Sequence, residues 1–112
     1  AEVQEISIED VAKVQLLAGT VVNCYRVEKS DRLLRLEIDL GPYGMRGICA
    51  GIAKAYAPDE LINKQVIMIA NLKPRMMMGL ESRGMMLVAV GPEGQQKVLT
   101  VAGSVPNGSI VR

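Results

Sequence analysis

The stretch "RLLRLEIDLG", residues 32–41, decides the fold class of this chain. Apolar residues alternate in it with charged residues: Leu34, Leu36, Ile38 and Leu40 against Arg35, Glu37 and Asp39. Successive side chains of a β-strand point to opposite faces, so this alternation predicts a strand with one buried face and one wetted face. Such a strand is stable only beside further strands that complete a shared core.

Further strand-like segments lie on both sides of this stretch. They are "GTVVNCYRV" (residues 19–27), "MRGICAGI" (45–52), "QVIMIANL" (65–72) and "GMMLVAV" (84–90). Apolar residues dominate all four segments, and the polar turns "EKSD" and "GPYG" separate the first three strands of the chain. The sequence therefore predicts five core strands.

Two short helices complete the predicted pattern. Ser7, followed by an acidic first turn, favours an N-cap with a helix over residues 8–14. Pro58 favours a second helix start between the third and fourth strands, although the preceding Ala57 is a poor cap. A five-stranded barrel with a helix after its third strand is the OB-fold arrangement, so we predict a mainly β protein with this fold.

The chain of 112 residues is expected to form one domain. Its barrel core should lie at about residues 15–90, and residues 91–112 should form an extension with strand-like "KVLTVAG" and "SIVR". An apolar extension outside the core has surface to bury, and a two-fold partner is the commonest way to bury it. We therefore expect a homodimer. The chain begins with Ala, so we also expect processing or a longer parent protein.

The residues that most enzymes and metal sites use are scarce in this sequence. It contains no His, no GxSxG or Walker motif, and two cysteines, Cys24 and Cys49, outside any CxxC pattern. We therefore expect no catalytic residue, no metal and no cofactor in this segment, and reduced, buried cysteines in a cytoplasmic protein. The acidic N-terminus and the lack of a long apolar run argue against a signal peptide and a membrane span.

One passage combines charge and apolar bulk in an unusual way. "NLKPRMMMGLESRGMMLVA", residues 71–89, places five methionines beside Lys73, Arg75 and Arg83. The net charge is only +1, but residues 13–83 hold eleven bases against seven acids. This mild surplus is compatible with a nucleic-acid surface and also with an ordinary solvated surface.

Four spaced motifs resemble those of a known family. They are "KSDRLL" (residues 29–34), "GIAKAYAPDEL" (51–61), "NLKP" (71–74) and "GLESRGMMLVA" (79–89). Together they are similar to the dimeric tRNA-binding domain at the C-terminus of many methionyl-tRNA synthetases and to stand-alone tRNA-binding proteins. The resemblance runs over residues 6–89. This sequence departs from the family pattern at Met76, where a Lys is usual, and at Arg83, where a Gln is usual.

The resemblance implies a non-catalytic OB-fold that binds the elbow of folded tRNA with little sequence preference, either within a methionyl-tRNA synthetase or as a stand-alone homologue. The expected phosphate-binding residues are Lys29, Arg32, Lys73, Arg75 and Arg83. Ser82 is expected to donate to a phosphate or 2′-OH. Asn71 is expected to reach the ligand or to cap a strand, and Met78 and Met85 are expected to lie against bases or sugars, as polarizable substitutes for aromatic residues.

Several alternatives remain open at this point. Residues 76–78 have three possible neighbours: RNA, a dimer partner or the core. Strand alternation should point Met85 to the surface and Met86 into the core, since adjacent residues face opposite sides. The competing function is a chaperone-like peptide-binding module of the related secretion-chaperone branch, in which exposed methionines would hold apolar peptides. A purely structural dimeriser would bind neither ligand.

Overall fold

The computed structural model describes residues 2–112. Its elements in chain order are α1 (Ile8–Ala12), β1 (Leu16–Arg26), β2 (Leu34–Asp39), a 3-10 turn (Gly41–Tyr43), β3 (Met45–Ala50), α2 (Pro58–Leu61), β4 (Gln65–Ile69), β5 (Arg75–Met77), β6 (Leu80–Ser82), β7 (Met85–Met86), β8 (Val88–Val90), β9 (Gln96–Val98) and β10 (Ile110–Val111). The protein is therefore mainly β.

Five strands form a nearly closed barrel in the order β3-β2-β1-β4-β7, and each pairs antiparallel with its neighbour. The two edges meet where the amide of Arg83 donates to the carbonyl of Gly47 at 2.9 Å. Nearby, the amide of Cys49 donates to the hydroxyl of Ser82 at 3.0 Å. With α2 between the third and fourth barrel strands, this is the OB-like arrangement that the sequence predicts.

The core lies inside the barrel and follows the alternation of residues 32–41. Leu34, Leu36 and Ile38 are fully buried, while the charged residues between them face outward. β1 is long enough to pair with β2, β4 and β10, and a bulge between Val21 and Asn23 shifts its register. Such a bulge bends a strand, which helps a sheet of few strands to close.

Three predicted elements differ from the observed ones, and the first is the strand-like stretch at residues 97–103, where the observed strand β9 ends at Val98. Helix α1 ends at Ala12, and the predicted strand at residues 84–90 is broken at Leu87. β7 pairs with β4, the amide of Leu87 donates to Ile67, and β8 then leaves the barrel to form a hairpin with β9. Leu87 is the point at which the chain changes partner, because its carbonyl accepts the amide of Leu99, which follows β9.

The C-terminal extension folds back along its own barrel. β10 pairs with the start of β1, and the hydroxyl of Thr20 donates to the side-chain oxygen of Asn107 at 2.7 Å. The side-chain amide of Gln65 donates to the carbonyl of Val105, also at 2.7 Å. These contacts hold residues 105–111 against β1 and β4, where they become part of the surface beside α1. Within residues 2–112, no helix is both long and apolar enough to cross a membrane.

Candidate nucleic-acid interface

The β5–β6 hairpin is the centre of the passage rich in methionine and arginine. Its strands pair Arg75 with Ser82, Met76 with Glu81 and Met77 with Leu80. The two-residue turn between them has positive φ at both positions, 51° at Met78 and 81° at Gly79. Two positive φ angles are typical of the type I′ turn, whose twist suits an antiparallel hairpin.

An apolar cluster, here called the side cluster, fixes this hairpin to the outside of the barrel. The buried residues Val27, Leu33 and Cys49 form it, and Met77 and Leu80 of the hairpin pack against them. Val27 and Leu33 flank the β1–β2 turn. The hairpin and that turn are therefore neighbours that share one small core.

Arg35 locks the hairpin from the outer face of β2, a role that the sequence did not reveal. Its guanidinium donates to the carbonyl of Glu81 at 2.5 Å and lies 3.7 Å from the sulfur of Cys49. Gly47 leaves room for this side chain, since a Cβ there would fall 2.0 Å from the guanidinium. The alternation of residues 32–41 places Arg35 on the wetted face, but only the register of β2, β3 and β6 shows its partner.

Ser82 lies beneath the hairpin instead of on its surface. The residue is only 4% exposed, and its hydroxyl accepts the amide of Cys49. We therefore interpret Ser82 as a positioning residue that holds β6 on β3, in place of the direct RNA contact that the resemblance implies.

Asn71 has both side-chain groups engaged by the N-terminal segment. Its oxygen accepts the amide of Gln15 at 2.9 Å, and its nitrogen donates to the carbonyl of Lys13 at 2.7 Å. Of the two expectations for this residue, the geometry favours the structural one. Asn71 joins the end of β4 to the segment that follows α1.

Five exposed basic residues surround the hairpin: Lys29, Arg32, Lys73, Arg75 and Arg83. The first two lie in the β1–β2 turn, the next two lead into the hairpin, and the last follows it. Within the described part of the chain, only two ion pairs form, Asp10–Lys13 and Asp31–Lys54. None of the five cations is neutralised by a neighbouring carboxylate there, so all five are available to phosphate groups.

The methionines divide between surface and core. Met85 is 49% exposed whereas Met86 is 5% exposed, which confirms their predicted placement on opposite faces of one strand. Met76 and Met78 are exposed on the hairpin, and Met77 packs into the side cluster. The structure thus brings Met78 together with the cations of the hairpin. Met85 lies farther along, on β7 beside Ile69.

Both cysteines are buried and free, as expected. Burial raises the pKa of the Cys24 thiol to about 11, because the thiolate would lose its hydration inside the barrel. No cluster of potential metal ligands occurs among residues 2–112. The chemistry that the described side chains offer is the binding of anionic and flat apolar groups.

A second exposed surface, here called the terminal face, lies where the chain ends meet. Ile8, Val11, Val14, Tyr43 and Ile110 line a mostly apolar groove of about 560 Å³ there. Helix α1 buries none of its residues, so its apolar side faces this groove uncovered.

Comparisons with known proteins agree with this architecture. The family described as "Putative tRNA binding domain" matches residues 16–110. The methionine–tRNA ligase of Porphyromonas gingivalis is 48% identical over 109 residues, covering 97% of this chain and 16% of the ligase. This chain therefore spans only about a sixth of that relative.

Two solved structures are similar over nearly their whole length. The "MetRS related protein" of Pyrococcus horikoshii has a TM-score of 0.93 at 31% identity, covering 98% of this chain and 100% of the other. The "chaperone CsaA" of Bacillus anthracis has a TM-score of 0.89 at 30% identity, covering 97% and 100%. The motifs, the barrel and the match to residues 16–110 agree, and this chain belongs to the family of tRNA-binding domains.

Proposed function

We propose that this chain binds the elbow of folded tRNA without catalysis, and does so in the cytoplasm as part of a methionyl-tRNA synthetase or as a stand-alone homologue. The observation that carries the proposal is a set of five exposed cations beside an anchored hairpin with exposed methionines, and none of the five is in an ion pair with any of residues 2–112. Structured RNA is recognised through phosphates, 2′-hydroxyls and shape, which this surface suits.

Different side chains contribute different kinds of contact to tRNA binding. Lys29, Arg32, Lys73, Arg75 and Arg83 contact phosphates. Met78 and Met85 contribute contacts to bases or sugars that do not depend on charge. Ser82 and Asn71 act indirectly, by holding the hairpin and the strand end in place.

Salt dependence tests the phosphate contacts. If each protomer neutralises about three to five phosphates, tRNA affinity should fall roughly tenfold to a few hundredfold between about 50 and 200 mM salt. Different tRNA species with the same elbow should bind within about tenfold of one another, since phosphates carry no sequence information. A flat salt profile, or strong discrimination among tRNA species, would contradict this mode of binding.

We also propose that the terminal face joins two copies of the chain. Val3, Ile6 and Ile8 add exposed apolar side chains at the N-terminus, and Ile110 adds one from the extension. Self-association would bury them, and two-fold dimers are the commonest arrangement. Deleting residues 94–112 should give monomers or aggregates. Light scattering of the intact chain that returned the monomer mass of 12.1 kDa at micromolar concentration would refute the dimer.

Peptide binding is the second candidate function. The similarity to CsaA of Bacillus anthracis and the apolar groove of the terminal face favour it. Competition separates the two functions: unlabelled bulk tRNA should displace labelled tRNA, and an unfolded peptide should not. Displacement by the peptide at comparable concentration would support the chaperone-like function instead.

A further inference from the structure

The only Asn-Gly pair of the chain, Asn107–Gly108, lies in a tight turn just before β10. This turn, residues 106–109, is here called the tail turn, and it closes where the amide of Ser109 donates to the carbonyl of Pro106 at 3.1 Å. Gly108 has a φ of 89°, which suits glycine and strains other residues. Because glycine has no Cβ, its amide nitrogen is poorly shielded, and Asn is among the thermolabile residues of proteins.

Deamidation of this pair follows from the chemistry of the two groups. The amide of Gly108 gives its proton to hydroxide, and its nitrogen attacks Cγ of Asn107. The bond from Cγ to Nδ2 breaks, and that nitrogen takes up a proton and leaves as ammonia. Water then opens the cyclic imide at either carbonyl and yields Asp or isoaspartate. In isoaspartate the main chain runs through Cβ and Cγ, so it is longer by one carbon atom.

In the folded chain, both reacting groups are held by other partners. The amide of Gly108 donates to the carbonyl of Ala18 in β1 at 2.8 Å. The side-chain oxygen of Asn107 accepts the hydroxyl of Thr20 at 2.7 Å and the side-chain amide of Gln65 at 3.2 Å. The nitrogen cannot reach Cγ while these bonds persist. The reaction therefore requires the tail turn to leave β1 first, and its rate follows the fraction of open chains.

The bond between residues 107 and 108 lies between two anchors of the C-terminal extension. Upstream, the side chain of Gln65 donates to the carbonyl of Val105 at 2.7 Å and accepts its amide at 3.1 Å. Downstream, Ala18 accepts the amide of Gly108 and donates to the carbonyl of Ser109 at 2.9 Å. An extra main-chain carbon changes the separation of the two anchored segments. The isoaspartate form therefore cannot satisfy both anchors at once.

We propose that Asn107 is a deamidation site that irreversibly releases β10. The folded chain protects the site, opening of the tail turn exposes it, and conversion to isoaspartate prevents β10 from pairing with β1 again. The effect reaches the terminal face, because Ile110 and Val111 of β10 line its groove. A transient opening of the extension thus leaves a permanent chemical change in this surface. The site does not depend on tRNA binding.

Peptide mapping by mass spectrometry at mildly alkaline pH measures the reaction. A synthetic peptide of residues 103–112 gives the unprotected rate, and the folded chain should react at least about tenfold more slowly, since only its open fraction reacts. Thr20→Val keeps the shape of the side chain and removes one hydrogen bond to Asn107. It should therefore accelerate the reaction by roughly two- to tenfold.

Ser30→Ala is the matched control for a general loss of stability. Its hydroxyl accepts the amides of Arg32 and Leu33 in the β1–β2 turn, so its removal costs hydrogen bonds outside the tail turn. The rate of deamidation at Asn107 should stay unchanged in this variant.

Asn107→Asp separates the added charge from the longer main chain. Its carboxylate can still accept the groups of Thr20 and Gln65, so the melting temperature should stay close to that of the original chain. The isoaspartate form, purified after incubation, should melt at a lower temperature. Hydrogen exchange at the amide of Ala18, which is bonded to Ser109 in the folded chain, should also be faster in that form.

Three results would overturn the proposal. Equal rates in the folded chain and the peptide would show that the tail turn gives no protection. Equal acceleration by Thr20→Val and Ser30→Ala would show that global unfolding exposes the site. Unchanged hydrogen exchange of Ala18 in the isoaspartate form would show that β10 remains in place after the reaction.

Discussion

The hairpin surface and the terminal face both expose large apolar side chains, yet they differ in charge. Around the hairpin, Met76 and Met78 lie among cations that form no ion pair within residues 2–112. On the terminal face, Ile8 and Val11 share helix α1 with acidic residues. Exposed apolar area alone therefore does not identify a partner. The charges beside it differ between the two surfaces: cations dominate around the hairpin, whereas the terminal face carries both signs, with Asp10 paired to Lys13 and Arg112 lining the groove.

The two surfaces also differ in how they are supported. The hairpin is fixed by the side cluster, by Arg35 and by Ser82, whereas α1 buries nothing. A preformed surface suits a folded RNA that keeps its own shape. An uncovered helix gains its support when a second protein surface packs on it. Four experiments test this contrast, in order of decreasing effect.

The two adjacent methionines of β7 should give the largest effect. Met86→Ala should lower the free energy of unfolding by about 2–5 kcal/mol, since it empties part of the core. Met85→Ala should leave stability nearly unchanged and weaken tRNA binding by about 1–3 kcal/mol, if its contact resembles base stacking, with the same salt slope. Thermal melts and tRNA titrations of both variants check this. Exchanged roles would show that the binding face is misplaced.

Val11→Asp should disrupt the terminal face alone. Burying an unpaired carboxylate between two protomers is costly, so the dimer should weaken by roughly 100-fold or more. Because α1 buries none of its residues, the melting temperature of the monomer should not change. Sedimentation at several concentrations measures the effect. A variant that still dimerises normally would place the dimer contact elsewhere.

Gly47→Ala should disrupt the hairpin surface alone. The added Cβ would displace the guanidinium of Arg35, freeing the hairpin and costing about 1–3 kcal/mol in stability. The tRNA affinity should fall while dimerisation persists. Gly51→Ala is the matched control, because a Cβ at that position meets no atom within 4 Å. Equal effects of the two substitutions would argue against the role assigned to Arg35.

The smallest effect concerns the core between the two surfaces. The pKa of the Cys24 thiol is about 11 in the folded chain, against about 9 when exposed. Its contribution to stability is therefore complete below pH 9 and is lost as the pH rises toward 11. At pH 9.5 the loss should be about 1 kcal/mol, and Cys24→Ala should remove this dependence. Urea unfolding of both chains between about pH 7.5 and 9.5 measures it.

Local patterns in the sequence predict those structural features that depend on residues adjacent in the chain, such as which face of a strand is buried. The alternation in residues 32–41 gives the buried face of β2, and the same rule separates Met85 from Met86. The barrel strands follow from such segments and from the turns between them. The exposed cations of the candidate site were likewise identified from the sequence.

Contacts between distant residues could not be predicted in this way. Ser82 reaches Cys49 across 33 positions, and Arg35 reaches Glu81 across 46. A hydroxyl on a short strand has the same local pattern whether it faces solvent or a neighbouring strand. Asn71 is similar, since its partners precede β1. For these residues, only the pairing register of the barrel strands shows whether the side chain faces a ligand or holds a neighbouring segment in place.

The place where the β5–β6 hairpin joins the barrel has a consequence for protein engineering. Ile69, just before the hairpin segment, pairs directly with Met85, just after it. The two junctions are therefore partners across a single rung of the β4–β7 ladder. A hairpin with another tip could therefore be grafted between them, provided that Ser82 and Arg83 are kept to close the barrel against Cys49 and Gly47. The tip of the hairpin is thus an exchangeable segment on a fixed barrel, and it can be redesigned while the core sequence is kept.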